Sequence, residues 1–197
     1  MDISNGYEKI ASEYISARNK SLGVSLIRDW SNSLDNHSKV LDIGCGDGIP
    51  VTKTIFETGH SVFAIDASKS MVNAFKGNFP NIPVKCEPVE YSDFFGQEYN
   101  GVVAIGVIFL LKKSKQLAMI RKVGEILRPG GQFLFSAPTQ IGTWNDVLTE
   151  EESISLGKDQ YVEALLSSGL QFVRTALDGS NNYYIAKKQS RIREDAA

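Results

Sequence analysis

Apolar side chains recur at intervals of three and four over residues 3–19, at Ile3, Tyr7, Ile10, Ala11, Tyr14 and Ile15. That spacing predicts an amphipathic helix. A second helical stripe, Leu22, Leu26, Ile27, Trp30 and Leu34, runs over 22–34. The pattern then shortens into apolar runs of strand length at Lys39–Ile43, Ser61–Asp66, Val84–Cys86, Asn100–Val107 and Gln132–Ala137. Asn100–Val107 is apolar almost throughout, as expected of a strand covered on both faces. Helices are predicted between these runs over 50–59, 68–79 and 114–127, with another over 158–168. The Arg128–Gly131 turn precedes the fifth strand. Two last strands, 170–177 and 183–187, flank Asp178-Gly179-Ser180-Asn181-Asn182, a composition suited to a hairpin turn. Repeated βα units imply a parallel sheet with helices on both faces. The closing hairpin adds one antiparallel strand, giving an α/β three-layer sandwich around a seven-stranded, mostly parallel sheet.

The first strand runs into Gly44-Cys45-Gly46-Asp47-Gly48-Ile49-Pro50. Glycine permits positive φ and close approach of a ligand to the backbone, and proline suits the first turn of a helix. Strand, glycine loop and helix start is the arrangement that holds a nucleotide-like cofactor beside the first strand of a doubly wound sheet. Asp66 ends the second strand, where a carboxylate can accept hydrogen bonds from ribose hydroxyls. Ser68 follows as a helix cap.

Composition fits one soluble folded domain: 197 residues, 42% hydrophobic and 22% charged. We expect a single unit over 1–188, with a helical cap at 1–34, a lid-like excursion at 138–157 and a polar tail at 189–197. The net charge of −2 and the lack of a basic run disfavour a nucleic-acid partner. No apolar run approaches membrane-spanning length. The polar start at Met1 argues against a secretory leader, so the cytoplasm is expected. Cys45 and Cys86 are expected to be small buried thiols. His37 and His60 lie apart in predicted loops, so no metal site is expected.

A dinucleotide site would show G-x-G-x-x-G, but the third glycine position is Ile49 here. The closing hairpin and the Arg128–Gly131 turn are also unexpected in a dehydrogenase. Four segments, in order, are similar to the motifs of the class I S-adenosylmethionine-dependent methyltransferases. They are Val40–Ile49, Phe63–Ser68, Tyr99–Gly106 and Leu127–Gly131. The resemblance covers about residues 7–188 and implies a Rossmann-like fold and S-adenosyl-L-methionine as cofactor, leaving S-adenosyl-L-homocysteine as product. It implies that Asp42 orients the cofactor's amino end and that Gly44 and Gly106 offer it carbonyls. Gly46 and Gly48 would keep the loop clear of side chains, Asp66 would hold the ribose, and Ala67 and Met71 would pack on the adenine. The family's Asp-Ala pair for the adenine falls on Pro88-Val89. Val89 keeps a backbone N–H, and Glu90 or Glu87 is left to meet the adenine amine.

The acceptor side carries no Ser-His-Asp pattern and no evident general base, so the catalytic residues are unassigned. Tyr14, Arg18, Phe109 and Trp144 are the substrate-pocket candidates. A small-molecule acceptor is favoured, since the tetrapeptides for amino-methylation of nucleic-acid bases are replaced by Ala104-Ile105-Gly106-Val107. Its accepting atom (O, N or S) and the oligomeric state stay open. The alternatives are an NAD-dependent oxidoreductase and a non-catalytic S-adenosylmethionine-binding protein.

Overall fold

The computed structural model describes residues 3–179 and 181–190. Most of the expected polar tail, 191–197, lies outside them. Among the described residues, nine strands and six α-helices follow in the order α1 (Tyr7–Ala17), α2 (Val24–Asn32), β1 (Lys39–Ile43), α3 (Val51–Glu57), β2 (Ser61–Asp66), α4 (Lys69–Asn78), β3 (Val84–Cys86), β4 (Tyr99–Ala104), α5 (Lys113–Ile126), β5 (Leu127–Ser136), β6 (Ile141–Asn145), β7 (Glu152–Leu156), α6 (Lys158–Ser167), β8 (Leu170–Asp178) and β9 (Asn181–Lys188). Seven strands form one sheet in the order β3-β2-β1-β4-β5-β9-β8. The pairings up to β5 are parallel, and β9 runs antiparallel to both of its neighbours. The expected seven-stranded, mostly parallel sheet is therefore present.

Alternation along the central strands builds two cores. Leu41, Val102 and Phe133 point to one face, with Met119, Ile120 and Val123 of α5 and Tyr161 and Leu165 of α6. Their neighbours Val40, Val103 and Leu134 point to the other, with Ile27 and Trp30 of α2, Ile55 of α3 and Phe75 of α4. A strand must send successive side chains to opposite faces, so a sheet covered on both sides needs apolar residues at every position. That requirement is why these runs are legible as buried strands.

Several boundaries differ from the expectation. α1 and α2 begin later, because Gly6 and Gly23 precede them in the left-handed conformation. The fourth strand stops at Ala104, before Gly106 turns the chain at φ 74°. Arg128–Gly131 lies inside β5 as an irregularity: Leu127 pairs with Tyr99, and the register has shifted when Gln132 meets Gly101. The 138–157 excursion is not an open loop. It holds the antiparallel pair β6–β7, with Trp144 opposite Ser153. Cys45 is buried as expected, but Cys86 is exposed, because it ends the short outermost strand β3. His60 is buried rather than at the surface. Its Nδ1 accepts from the Ser38 amide at 3.1 Å and its Nε2 donates to the Ser31 carbonyl at 2.9 Å. Both of its ring nitrogens are taken up by backbone partners within the fold. No described helix is long and apolar enough to cross a membrane.

Candidate functional site

Strand order reverses between β1 and β4, which pair side by side with Asp42 opposite Val103. In open α/β sheets the ligand crevice opens at the carboxyl ends of the strands flanking such a point. Here the loops after both strands turn on glycines, Gly44 (φ 71°) and Gly106 (φ 74°), and both line a cleft of about 860 Å3 that includes its open mouth. Its walls come from the glycine loop, Asp66 and Ala67 after β2, Glu87–Glu90 after β3, and Ile105–Val107 after β4. Met71 of α4 forms part of the wall. The N-terminal segment covers it with Asn5, Tyr7, Tyr14 and Arg18.

The three loop glycines do different jobs. A Cβ on Gly44 would sit 2.1 Å from the Val107 side chain, so Gly44 lets the β1 and β4 loops meet. A Cβ on Gly48 would sit 2.5 Å from Phe79, so Gly48 faces the core and not the cleft. Gly46 alone of the three faces open space, with Arg18 and Met71 no closer than 3.6 Å to a built Cβ.

The carboxylates divide in the same way. Asp66 accepts from the Gly46 amide through Oδ2 and from the Ser68 amide through Oδ1, each at 2.8 Å. Burial raises its carboxyl above the ordinary range, against the pull of those two amides. Each oxygen retains a second lone pair for a ligand. Asp42 lies beneath the loop, 1% exposed, and does not line the cleft. Its Oδ2 accepts from Thr52 Oγ1 at 2.6 Å. Burial pushes its carboxyl up to about 7, opposed by the Thr52 bond and the Arg18 charge. Buried Asp47 lies 3.8 Å from Arg18, whose guanidinium also stands 5.2 Å from the Tyr14 ring centre. Arg18 is thus drawn over the glycine loop.

Residues 87–90 line the cleft, and Glu90 Oε1 is engaged in an ion pair with Lys115 at 2.7 Å. Glu87 Oε1 accepts from Ser92 Oγ at 2.5 Å. The segment is fixed by Lys122 of α5, whose ammonium donates to the carbonyls of Val89 (3.0 Å), Glu90 (3.2 Å) and Ser92 (2.8 Å). Sequence reasoning did not find Lys122, because its partners are carbonyls 30–33 residues away and a carbonyl leaves no mark in the sequence.

The four substrate-pocket candidates do not meet in one place. Tyr14 and Arg18 line the cleft with the glycine loop. Phe109 and Trp144 pack together 5.6 Å apart and line a second cavity with Ser136, Pro138, Asp146, Val147, Leu148 and Asn182. Two contacts join the spaces. Tyr7 Oη donates to Asp146 Oδ2 at 3.2 Å, and the Gly106 amide donates to Ser136 Oγ at 2.8 Å. Asp146 is also the turn residue of the hairpin, since its Oδ1 accepts from the amides of Leu148 and Thr149. Its bond to Tyr7, 139 residues away, is visible only in the fold.

The donor set fits a sulfonium nucleoside better than a dinucleotide. A pyrophosphate wants cations and amides, whereas Asp42, Asp47 and Asp66 surround this loop, with Arg18 the one cation among the described residues that line the cleft. A ligand carrying a sulfonium, an ammonium and a single carboxylate suits that balance. No group of three or more potential metal ligands occurs among the described residues.

Residues 40–131 match the family model of the methyltransferase domain. The tRNA N(3)-cytidine methyltransferase METTL2 of Danio rerio is 30% identical over 107 residues, 49% of this chain and 30% of that protein. The chain spans less than half the length of the curated relatives it matches. Among solved structures, the CcbJ methyltransferase from Streptomyces caelestis superposes with TM-score 0.78 at 17% identity, covering 96% of this chain and all of that one. The 1,6-didemethyltoxoflavin-N1-methyltransferase of Burkholderia thailandensis, solved with S-adenosylhomocysteine, gives 0.70 at 18% identity, covering 92% and 86%. Residues 40–131 thus carry a match to the methyltransferase domain, and around them the chain has the sheet order and switch-point cleft of the class I S-adenosylmethionine-dependent methyltransferase fold.

Proposed function

We propose that this protein binds S-adenosyl-L-methionine in the switch-point cleft and transfers its methyl group to a small acceptor held in the second cavity. Asp66 holds the ribose and Gly46 leaves room for it. Gly44 and Gly106 present carbonyls to the amino end, and Asp42 supports that end from beneath the loop. Ala67, Met71 and the backbone of Val89 bound the adenine. With Glu90 paired to Lys115, Glu87 is the carboxylate better placed for the adenine amine.

The bound cofactor supplies an activated methyl group, so the chain's work is to orient the acceptor and exclude water. Tyr7 and Gly106, at the junction of the two spaces, mark where the acceptor meets the donor. No histidine lines either space.

The acceptor-side lining carries this reading. Phe109, Pro138, Trp144, Val147 and Leu148 supply an apolar, partly aromatic wall, with Asp146 as the one charged residue among the described lining residues. Binding to a polyanion depends on lysine and arginine contacts to phosphate, and that lining has neither. It favours a small neutral or cationic molecule with a flat apolar body over a tRNA. Incubation with isotopically methyl-labelled cofactor, a panel of aromatic and heterocyclic amines, alcohols and thiols, and bulk tRNA tests the reading. Label should enter a panel compound. Label in tRNA alone would replace the small acceptor by a nucleic acid, and melting-point stabilisation by NAD without any by S-adenosylhomocysteine would replace the cofactor.

A further inference from the structure

β3 ends at Cys86, and the chain then runs along the cleft as Glu87, Pro88, Val89 and Glu90, outside any strand. Two backbone bonds anchor this stretch. The Glu87 amide donates to the Asp66 carbonyl at 2.9 Å, and the Tyr91 amide donates to the Pro88 carbonyl at 3.1 Å. The carbonyls of Val89, Glu90 and Ser92 converge on one point, and that point is the Lys122 ammonium of α5 (3.0, 3.2 and 2.8 Å). An ammonium has three N–H donors and no acceptor, so this one is taken up by the segment. The Phe94 ring closes a further side, with its centre 4.7 Å from Nζ. Lys115, two turns earlier on α5, holds the Glu90 carboxylate.

Carbonyl oxygens that point at one another repel, and these three keep their places because a cation stands between them. Without that charge the oxygens must turn apart, which moves the backbone that carries them. That backbone is the wall proposed to receive the base of the cofactor. Both groups proposed for the adenine edge hang from it. Val89 gives its own carbonyl to Lys122. The Glu87 carboxylate accepts from Ser92 Oγ at 2.5 Å, and Ser92 gives its carbonyl to Lys122. One ammonium therefore governs the backbone and the carboxylate of the same wall, although Lys122 itself does not line the cleft.

We infer that Lys122 is a positioning residue for the donor's nucleobase: it holds residues 87–92 in the shape that tells adenine from a purine carrying an oxo group in place of the amine. The inference rests on the proposal that the cleft takes S-adenosyl-L-methionine. Adenine presents an amine donor and a ring-nitrogen acceptor on one edge, which match a carboxylate and a backbone N–H. The oxo purine presents an acceptor and an N–H donor there, the reverse of both. A site built to pair with a group rejects the analogue that lacks it, because its own polar atoms are then left unpaired. Lys122 contributes to that rejection through Val89 and Ser92.

S-adenosylhomocysteine and its oxo analogue S-inosylhomocysteine are the probes, with affinities measured by calorimetry on the full chain. The wild type should prefer the adenine ligand by about tenfold or more. Lys122→Met keeps the apolar stem of the side chain and removes its donors. It should lose about tenfold in affinity for S-adenosylhomocysteine, lose much less for the oxo analogue, and so lose most of the preference. Lys122→Gln, which keeps an uncharged donor, should fall between the two and is the variant to read if Lys122→Met does not stay folded. Ser92→Ala removes the Glu87 tie, keeps the ammonium and should lower the preference in part. Loss of stability by itself does not move the ratio of the two affinities. A lowered melting temperature with that ratio within about twofold of wild type would make Lys122 a purely structural residue and overturn the inference. An equal or reversed preference in the wild type would overturn it too and leave the cofactor proposal standing. A wild type that binds neither ligand would remove the cofactor proposal and this inference together.

Discussion

The two halves of the proposed site are built on different principles. The donor half hangs on the ends of neighbouring parallel strands. Gly44 is pinned against Val107, the Gly46 and Ser68 amides hold Asp66, and Lys122 fixes the 88–92 backbone. The proposed acceptor half is assembled from pieces far apart in the chain, Phe109 after β4 and the β6–β7 hairpin, and the N-terminal segment that covers the donor cleft reaches it. Polar ties such as Tyr7–Asp146 join them, and exposed apolar residues such as Val147, 93% accessible, sit at the hairpin tip. The loops of the first half end strands of the main sheet, whereas β6 and β7 pair only with each other. A fold can thereby keep one donor site while its acceptor site varies.

The largest effect should come from Gly44→Ala. The new methyl would meet Val107 and the backbone would be held at φ 71°. Strain and overpacking together should cost about 2–4 kcal/mol of stability, read by urea denaturation, with cofactor-product affinity falling as well. A loss under about 0.5 kcal/mol would mean that the donor loop adapts as readily as the hairpin does.

A pH series sharpens the picture beneath the loop. The Asp42 carboxyl is raised from an ordinary value of about 3.9 to about 7 by burial. Between those values the folded chain binds this proton more tightly than the unfolded chain. Its contribution to stability is therefore complete below about pH 4 and is lost as pH rises towards 7, at up to about 1.4 kcal/mol per pH unit. Asp42→Asn should flatten that slope in unliganded protein, raise stability at pH 8 and weaken binding of S-adenosylhomocysteine. Parallel pH profiles for the two proteins would show that Asp42 stays ionised when buried.

The smallest change at the donor site should follow Trp144→Ala. Affinity for S-adenosylhomocysteine should stay within about 0.5 kcal/mol of wild type, while KM for the acceptor rises. A larger loss in calorimetry would show that the two halves are energetically one.

The segments proposed as the donor half were legible because their local structure is set within a few residues. The glycine loop, Asp66 and the Ser68 cap each follow directly from a strand, so backbone geometry places them near the cleft. Even there the resemblance paired Gly48 with Gly46 as clearing the loop for the cofactor, while the fold packs Gly48 against Phe79. The β6–β7 pair was read as a loop because its strands are short, polar and paired only with each other, which leaves little apolar alternation.

By itself the sequence determined the order of elements, the buried strands and the donor loop, since periodicity and turn chemistry act over a few residues. Tertiary structure alone decided that Glu8 reaches Ser68 and Ser70, that Lys122 holds carbonyls after β3 and that Tyr7 meets Asp146. Those contacts join positions up to 139 residues apart, and a hydrogen bond across such a distance exists only once the packing of the sheet and its helices has brought its two ends together.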